Sequence, residues 1–244
     1  MFQKNVYDKK TFILKSILDE DNLRQYFRIR YQVYVRMKYV DTNEDRLDID
    51  SWDFSSKFFA AFEKESNKLV GTLRFIYKDL KCDGCNVVSE ITKTLKDQKF
   101  KAMSNLCEFP LMQAFNIDDF LESCYLQKRK VVEVGRLTVL PRYWKHGLAS
   151  VLAEFAVSHA YQNKLDDCII AVHPRHARMY ESLGFKFLPN TKEVVYPGIN
   201  NAAIAMHLDF SKVNEPHHSR ALEMQQSVIE KGYFEINELG RRKV

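Results

Sequence analysis

Two ionisable residues, Glu133 and Arg136, stand inside an otherwise apolar run, Val131–Val139 (VVEVGRLTV). An ionisable side chain in a buried strand is costly unless it is paired or used. Aminolysis of a thioester is one chemistry that would use both, because it needs a neutral amine, a base for the amine's proton and donors for the developing oxyanion. Glu133 is the candidate base, acting directly or through a water. Three residues apart on a regular strand, the two side chains would point to opposite faces. A bulge near Gly135 is therefore expected, returning Arg136 to the face of Glu133 and freeing a backbone N–H for the thioester oxygen. The competing reading is a structural ion pair between strand residues.

Pro141 closes the run, a basic turn follows (Trp144-Lys145-His146-Gly147-Leu148-Ala149), and a helical pattern begins. Strand, glycine-bearing turn and helix together aim backbone N–H groups at an anion. Gly147 would let such an anion approach closely. Charges also interrupt other apolar stretches. Arg30 sits in the apolar stripe of the first predicted helix and Arg74 in the strand Lys68–Tyr77. Arg30 there needs an acidic partner or an anionic ligand, or else snorkels to the helix edge. The loop Asp41–Asp53 supplies Asp41, Glu44, Asp45, Asp48, Asp50 and Asp53 just before the next strand.

The elements that must hold these residues read as follows. A short strand, Phe12–Ile17, precedes a helix capped by Asp21 and running to about Met37. Strands Lys57–Glu63 and Lys68–Tyr77 pair antiparallel across a turn at Lys64–Asn67. Residues 79–129 read as an insertion covering one side of the sheet, with helices near Val88–Lys96 and Ile117–Leu126. Leu148, Val151, Leu152, Phe155 and Ala156 keep helical spacing to about Asn163. A strand at Cys168–Val172, a helix over His176–Leu183 ended by Gly184, and strands Phe185–Leu188 and Ala203–Leu208 complete the core. Residues 1–210 are expected to form one domain; 211–244 form a helical extension, with a helix at Ser219–Ile229 packed outside the core.

A chain of 244 residues can bury a full core in one domain. The net charge of +5 is a mild bias towards acidic partners and weak evidence for nucleic acid. The start of the chain has no h-region of a signal peptide, and no apolar stretch approaches membrane-spanning length, so a cytoplasmic location without a transmembrane segment is expected. Cysteines at 82, 85, 107, 124 and 168 show no regular framework and read as reduced thiols. Cys82-x-x-Cys85 lacks a second pair to close a zinc tetrahedron, so no metal site is expected.

The order β-α-β-β-(insertion)-β-α-β-α-β-β, with a buried strand running into a basic turn and a helix, resembles the GNAT acyltransferase fold. The resemblance implies an α/β (α+β) architecture: a mixed, mostly antiparallel sheet with helices on both faces. That family's turn is usually Q/R-x-x-G-x-G/A; here Trp144 takes the first position, while Gly147 and Ala149 keep the others. Arg30-x-x-Val33-Tyr34, Asp50-x-x-Asp53, Gly71-Thr72-Leu73-Arg74 and Glu133-x-x-Arg136-Leu137-x-Val139 resemble acyl-homoserine lactone synthases and their relatives, GNAT-like enzymes that take a fatty acyl chain from acyl carrier protein. His173-Pro174-Arg175-His176-Ala177-Arg178-Met179-Tyr180-x-x-Leu183-Gly184-Phe185 is similar to long-chain N-acyl amino acid synthases. The resemblance covers about residues 12–210.

It implies an acyl-carrier-protein-dependent N-acyltransferase that acylates an amino acid, with Glu133, Arg136 and Arg74 at the chemistry. Leu137, Val139, Arg142, Lys145, His146, Gly147, Leu148 and Ala149 would meet the donor, an acyl-phosphopantetheine or acyl-CoA, with no tightly bound cofactor. Arg30, Asp50, Asp53, Arg175 and Tyr180 would serve the acceptor. Arg30, Asp50, Asp53, Arg74 and Arg136 would form a charged network closing the acceptor pocket, with Arg74 or Arg136 on the amino acid carboxylate; for Arg30 and Asp53 a purely structural network reads equally well. Leu137 and the Phe-rich segment 54–62 would line the acyl chain. Lys128–Lys130, Arg142, Lys145, His146 and Arg175 would make a basic docking rim for the acidic carrier protein. The alternatives are an acetyl- or acyl-CoA-dependent N-acetyltransferase, an acyl-homoserine lactone synthase using S-adenosylmethionine, and a catalytically silent module that binds a carrier protein or lipid.

Overall fold

The computed structural model describes residues 10–78, 84–96, 108–197, 199 and 201–239. Cys82 and Cys107, and with them much of the expected thiol-rich loop, lie outside the described residues, as does the side chain of Lys145.

Alternating and continuous apolar runs produce the strands β1 (Lys10–Ile17), β2 (Ser56–Glu63), β3 (Lys68–Tyr77), β4 (Val131–Val139), β5 (Asp167–Val172), β6 (Lys186–Phe187), β7 (Val194–Tyr196), β8 (Asn201–Asp209) and β9 (Phe234–Leu239). They form one sheet in the order β6-β8-β5-β4-β3-β2-β1-β9, with β7 paired to β8. β4 and β5 pair in parallel, whereas the other described pairs are antiparallel. The β4–β5 ladder runs from Val131↔Asp167 to Val134↔Ile170 and stops, so the second half of β4 diverges from its neighbour.

The helices are α1 (Glu20–Arg36), α2 (Gly84–Lys93), α3 (Asp118–Leu126), α4 (Leu148–Gln162), α5 (Ala177–Leu183) and α6 (His217–Lys231). On one face, Phe58, Ala60, Phe62 and Leu69 bury against Leu23, Tyr26 and Phe27 of α1 and Val88 and Ile91 of α2. On the same face, Ile76 and Ile169 bury against Leu121 and Cys124 of α3 and the turn residues Phe109 and Leu111. The opposite face, with Phe59, Leu73, Phe75, Val132 and Val134, packs on Val151, Leu152 and Phe155 of α4. Even the rings follow the period of two, since Phe58 meets Tyr26 and Phe27 while its neighbour Phe59 meets Phe155.

Three expectations need correction. The cap of α1 is Asp19 rather than Asp21, its carboxylate accepting the Asn22 N–H at 2.9 Å. β7 was not anticipated; three residues are too few to show a period. The tail is not packed outside the core. Ala221 and Met224 of α6 are fully buried with the α4 side of the sheet, Glu154 of α4 pairs with His217 and Arg220, and β9 adds a strand antiparallel to β1. Among the described residues no helix is long and apolar enough to cross a membrane.

If α6 belongs to the main core, Met224→Ala should cost about 2–5 kcal/mol. A fall of roughly 5–15 °C in Tm would follow for a chain of this size, read by calorimetry. A helix outside the core would give no measurable change.

Candidate active site

The site is built on an irregularity in β4. Thr72 pairs with Thr138 and Arg74 with Gly135, so Leu73 faces two residues of β4 instead of one. The extra residue makes the bulge expected near Gly135, and Arg136 adopts the left-handed conformation (φ 57°) that it requires. The Arg136 carbonyl stays satisfied by the hydroxyls of Thr72 (3.3 Å) and Thr138 (3.2 Å). The bulge returns the Arg136 side chain to the face that carries Glu133 and Arg74.

On that face three guanidinium groups meet three carboxylates. Arg30, fully buried, donates from Nε to Asp48 (2.9 Å) and from Nη1 to Asp53 (2.7 Å). Arg74 grips Asp50 with Nη1 (2.7 Å) and Nη2 (2.9 Å), and Nη1 also reaches Asp53 (2.5 Å). Arg136 donates from Nη2 (2.8 Å) and Nε (3.2 Å) to the same Asp50, while its guanidinium lies 5.0 Å over the Tyr34 ring. The loop holds its carboxylates ready: Asp50 caps a short 3₁₀ turn, Ser51–Ser55, and its own N–H donates to Asp53 (2.8 Å). Burial alone would raise the Asp50 carboxyl, but Arg74, Arg136 and Arg30 together hold it well below the usual range. Burial would likewise lower Arg136, yet Asp48 and Asp50 keep it firmly charged.

Glu133 sits beside this network without joining it. It is 3 % exposed, and its Oε2 accepts the Leu111 N–H at 3.0 Å, from the turn Pro110–Gln113 of the insertion. Burial pushes its carboxyl up to about 8, against the opposing pull of the Leu111 N–H and Arg74. Sequence reasoning located Glu133 but missed Leu111, because a backbone donor in a loop leaves no mark on side-chain chemistry.

Where β4 leaves β5, a cavity of about 820 Å³ opens. Glu133, Arg74, Arg136 and Asp50 line it, together with Leu137 and Val139 of β4, Ala149 of α4, and Arg175 and Tyr180 beyond β5. Tyr34, of the Arg30-x-x-Val33-Tyr34 motif, completes its aromatic wall with Trp52 and Tyr196, which were not singled out from the sequence. Two buried nitrogens of these arginines, Arg74 Nε and Arg136 Nη1, have no hydrogen-bond partner, although the Asp48 carboxylate lies 3.6 Å from the second.

Other expected site residues lie elsewhere. Arg30 and Asp53 are sealed inside the network, as its structural part, and do not reach the cavity. Leu148 is a fully buried core residue. Arg142 is exposed and stacks over Tyr143 (4.7 Å), outside the cavity wall, and Gly147 forms the left-handed hinge (φ 76°) between the turn and α4. His146 is buried and so cannot belong to a docking rim. Nor can Lys128–Lys130 join one with Arg142 and Arg175: they precede β4, at the opposite end of the strand, and Arg129 is tied to Asp167 (2.8 Å). The Phe-rich segment does not line the cavity, because Phe58, Phe59 and Phe62 point into the two cores.

Asp50→Asn should leave buried guanidinium charge uncompensated and lower stability by about 3–5 kcal/mol, seen as a reduced urea midpoint. Asp41→Asn, at an exposed position of the same loop, should change it by less than about 0.5 kcal/mol.

Two family models match the chain: "N-acyl amino acid synthase FeeM" over residues 101–209 and "Acetyltransferase (GNAT) domain" over residues 29–154. No curated protein matches it in sequence. Among solved structures it is similar to FeeM, an N-acyl amino acid synthase from uncultured soil microbes, at TM-score 0.60 and 18% identity, with 88% of this chain and 96% of that one covered. The CoA-dependent acyl-homoserine lactone synthase BjaI follows at TM-score 0.57 and 15% identity, covering 88% and 90%. The acyl-homoserine lactone synthase LasI superposes at TM-score 0.53 and 13% identity, covering 83% and 91%. These structural likenesses establish a shared fold, and the model spanning residues 29–154 takes in more than half of the sequence. The chain therefore belongs to the GNAT acetyltransferase-domain family.

Proposed function

We propose that the chain is an N-acyltransferase that moves a fatty acyl group from the phosphopantetheine thioester of acyl carrier protein to the amine of an amino acid. The observation that carries this reading is Glu133: a buried carboxyl pushed up to about 8, at the point where β4 and β5 part and a large, mainly apolar cavity begins. The partial match to an N-acyl amino acid synthase model supports the same acceptor class. The cytoplasm, where carrier-bound acyl chains are made, is the setting this implies.

The thioester enters between the diverging strands along Leu137 and Val139, with its carbonyl carbon near Glu133. Ionised Glu133 takes a proton from the amine as the nitrogen attacks that carbon and the C–N bond forms. A backbone N–H of the bulged segment receives the oxyanion. Collapse of the tetrahedral intermediate breaks the C–S bond, and the carboxyl returns the proton to the departing thiolate. The amide and the carrier's free thiol are the products, with no net proton change. Arg74 and Arg136, whose Nε and Nη1 have no hydrogen-bond partner, hold the acceptor's carboxylate, and Asp50 keeps both guanidinium groups in place. At the outer end of β4, Arg142 and Lys145 meet the acidic carrier.

Glu133→Gln should lower kcat/KM by about 100-fold or more with donor binding retained, measured by mass spectrometry of the amide product. The base acts when deprotonated, so the wild-type rate should climb as pH rises through about 8, and that climb should vanish in the variant. Unchanged turnover in Glu133→Gln would refute the assignment. Joint charge reversal at Arg142 and Lys145 should raise KM for acyl carrier protein and leave a small pantetheine thioester unaffected. Equal effects on both donors would remove carrier docking from the account.

A further inference from the structure

We propose that Trp144 is a displaceable latch on the donor track, and that its indole must release a backbone carbonyl of β4 before a pantetheine arm can bind fully. This rests on the pantetheine-thioester donor proposed above.

The argument begins with strand geometry. Leu140 donates its N–H to Val70 of β3 at 2.9 Å. Neighbouring residues of an antiparallel strand send their polar groups to opposite edges, so the N–H and C=O of Val139 face away from β3. They face the edge that β5 has left, since pairing there stopped at Val134↔Ile170. The second half of β4 is thus a free edge inside the sheet, lining the cavity through Gly135, Leu137 and Val139. A free strand edge recruits extended, amide-bearing chains. A pantetheine arm carries two amides in an extended chain. The seven residues from Glu133 to Val139 span roughly 20 Å, a reach comparable to that arm's.

The outermost acceptor on this edge is already taken. Trp144 Nε1 donates to the Val139 carbonyl at 2.6 Å, while the residue stays half exposed and contributes to the cavity wall. The turn that carries it does not depend on that bond. Its neighbour Tyr143 is 1 % exposed, packs edge-on against Phe12 (5.7 Å between centroids) and donates its N–H to Leu140 at 2.9 Å. Tyr143 anchors the turn, so the indole can rotate out with the backbone unmoved. Trp144 also stands where the GNAT turn usually has a polar Gln or Arg, and an indole is a donor without an acceptor. It can mimic the donor arm's N–H and cannot bond a second one. Donor amide and indole therefore compete for one carbonyl.

The test uses an acyl-pantetheine thioether, which cannot turn over and carries neither nucleotide nor carrier protein. Protein labelled with 5-fluorotryptophan gives one resonance for each of its two tryptophans, and Trp144→Phe assigns them. The Trp144 resonance should shift on saturation with the probe. Trp144→Phe keeps a ring but removes the N–H, so it should bind the probe about five-fold more tightly, the equivalent of one neutral hydrogen bond. A bound probe with an unmoved Trp144 resonance, or with unchanged or weaker affinity in Trp144→Phe, would overturn the latch and leave the thioester donor standing. No binding to either protein would overturn the donor reading, and the latch with it.

Discussion

The Asp50 carboxylate is the joint on which the site depends. One oxygen pair binds two guanidinium groups from adjacent strands, Arg74 of β3 and Arg136 of β4, and a third, Arg30 of α1, lies within 3.7 Å. Three Arg and three Asp in one buried cluster leave no net charge, and that balance governs Glu133 nearby. Three uncompensated guanidinium groups would hold any neighbouring carboxyl ionised. With their fields cancelled, burial decides, and the Glu133 carboxyl rises towards neutral pH. The network therefore does two things at once: it ties α1 and the acidic loop to the sheet, and it sets the protonation of a side chain it does not bond.

The second constraint is a single extra residue in β4. The bulge at Arg136 brings an arginine to the carboxylate face and coincides with the end of pairing between β4 and β5. Beyond that point the strand offers backbone groups to a cavity instead of a neighbour. Thr72 and Thr138 close over the Arg136 carbonyl, and Trp144 closes over that of Val139, so these polar groups are met by side chains where a ladder would otherwise meet them.

Much of this was legible in the sequence because it is written in residue type against pattern. Glu133, Arg136, Arg74 and Arg30 each interrupt an apolar period; Glu133, Arg74 and Arg30 prove to be buried and Arg136 half-buried. The bulge could be argued from the spacing of Glu133 and Arg136, since a period of two forbids them one face otherwise. What was not legible depends on long-range packing. The Phe-rich segment offers apolar area but gives no sign of which face of β2 meets a cavity. Lys128–Lys130 and Arg142 are close in sequence, yet a nine-residue strand holds them apart. His146 reads as a surface cation beside Lys145, and the tight turn instead buries it next to Tyr143. The tail's polar composition conceals that Ala221 and Met224 alone supply the buried contacts of α6.

The pairing of β9 with β1 joins nearly opposite ends of the described chain, with Phe12 opposite Ile236. Local sequence can nucleate the β2–β3 hairpin early, but this outermost pairing waits for more than two hundred residues to be synthesised. Until then the rim of β1 remains an unshielded template for strands of other molecules. Among the described strands β9 is the last in the chain, and its arrival covers the rim of β1 that stands open until then.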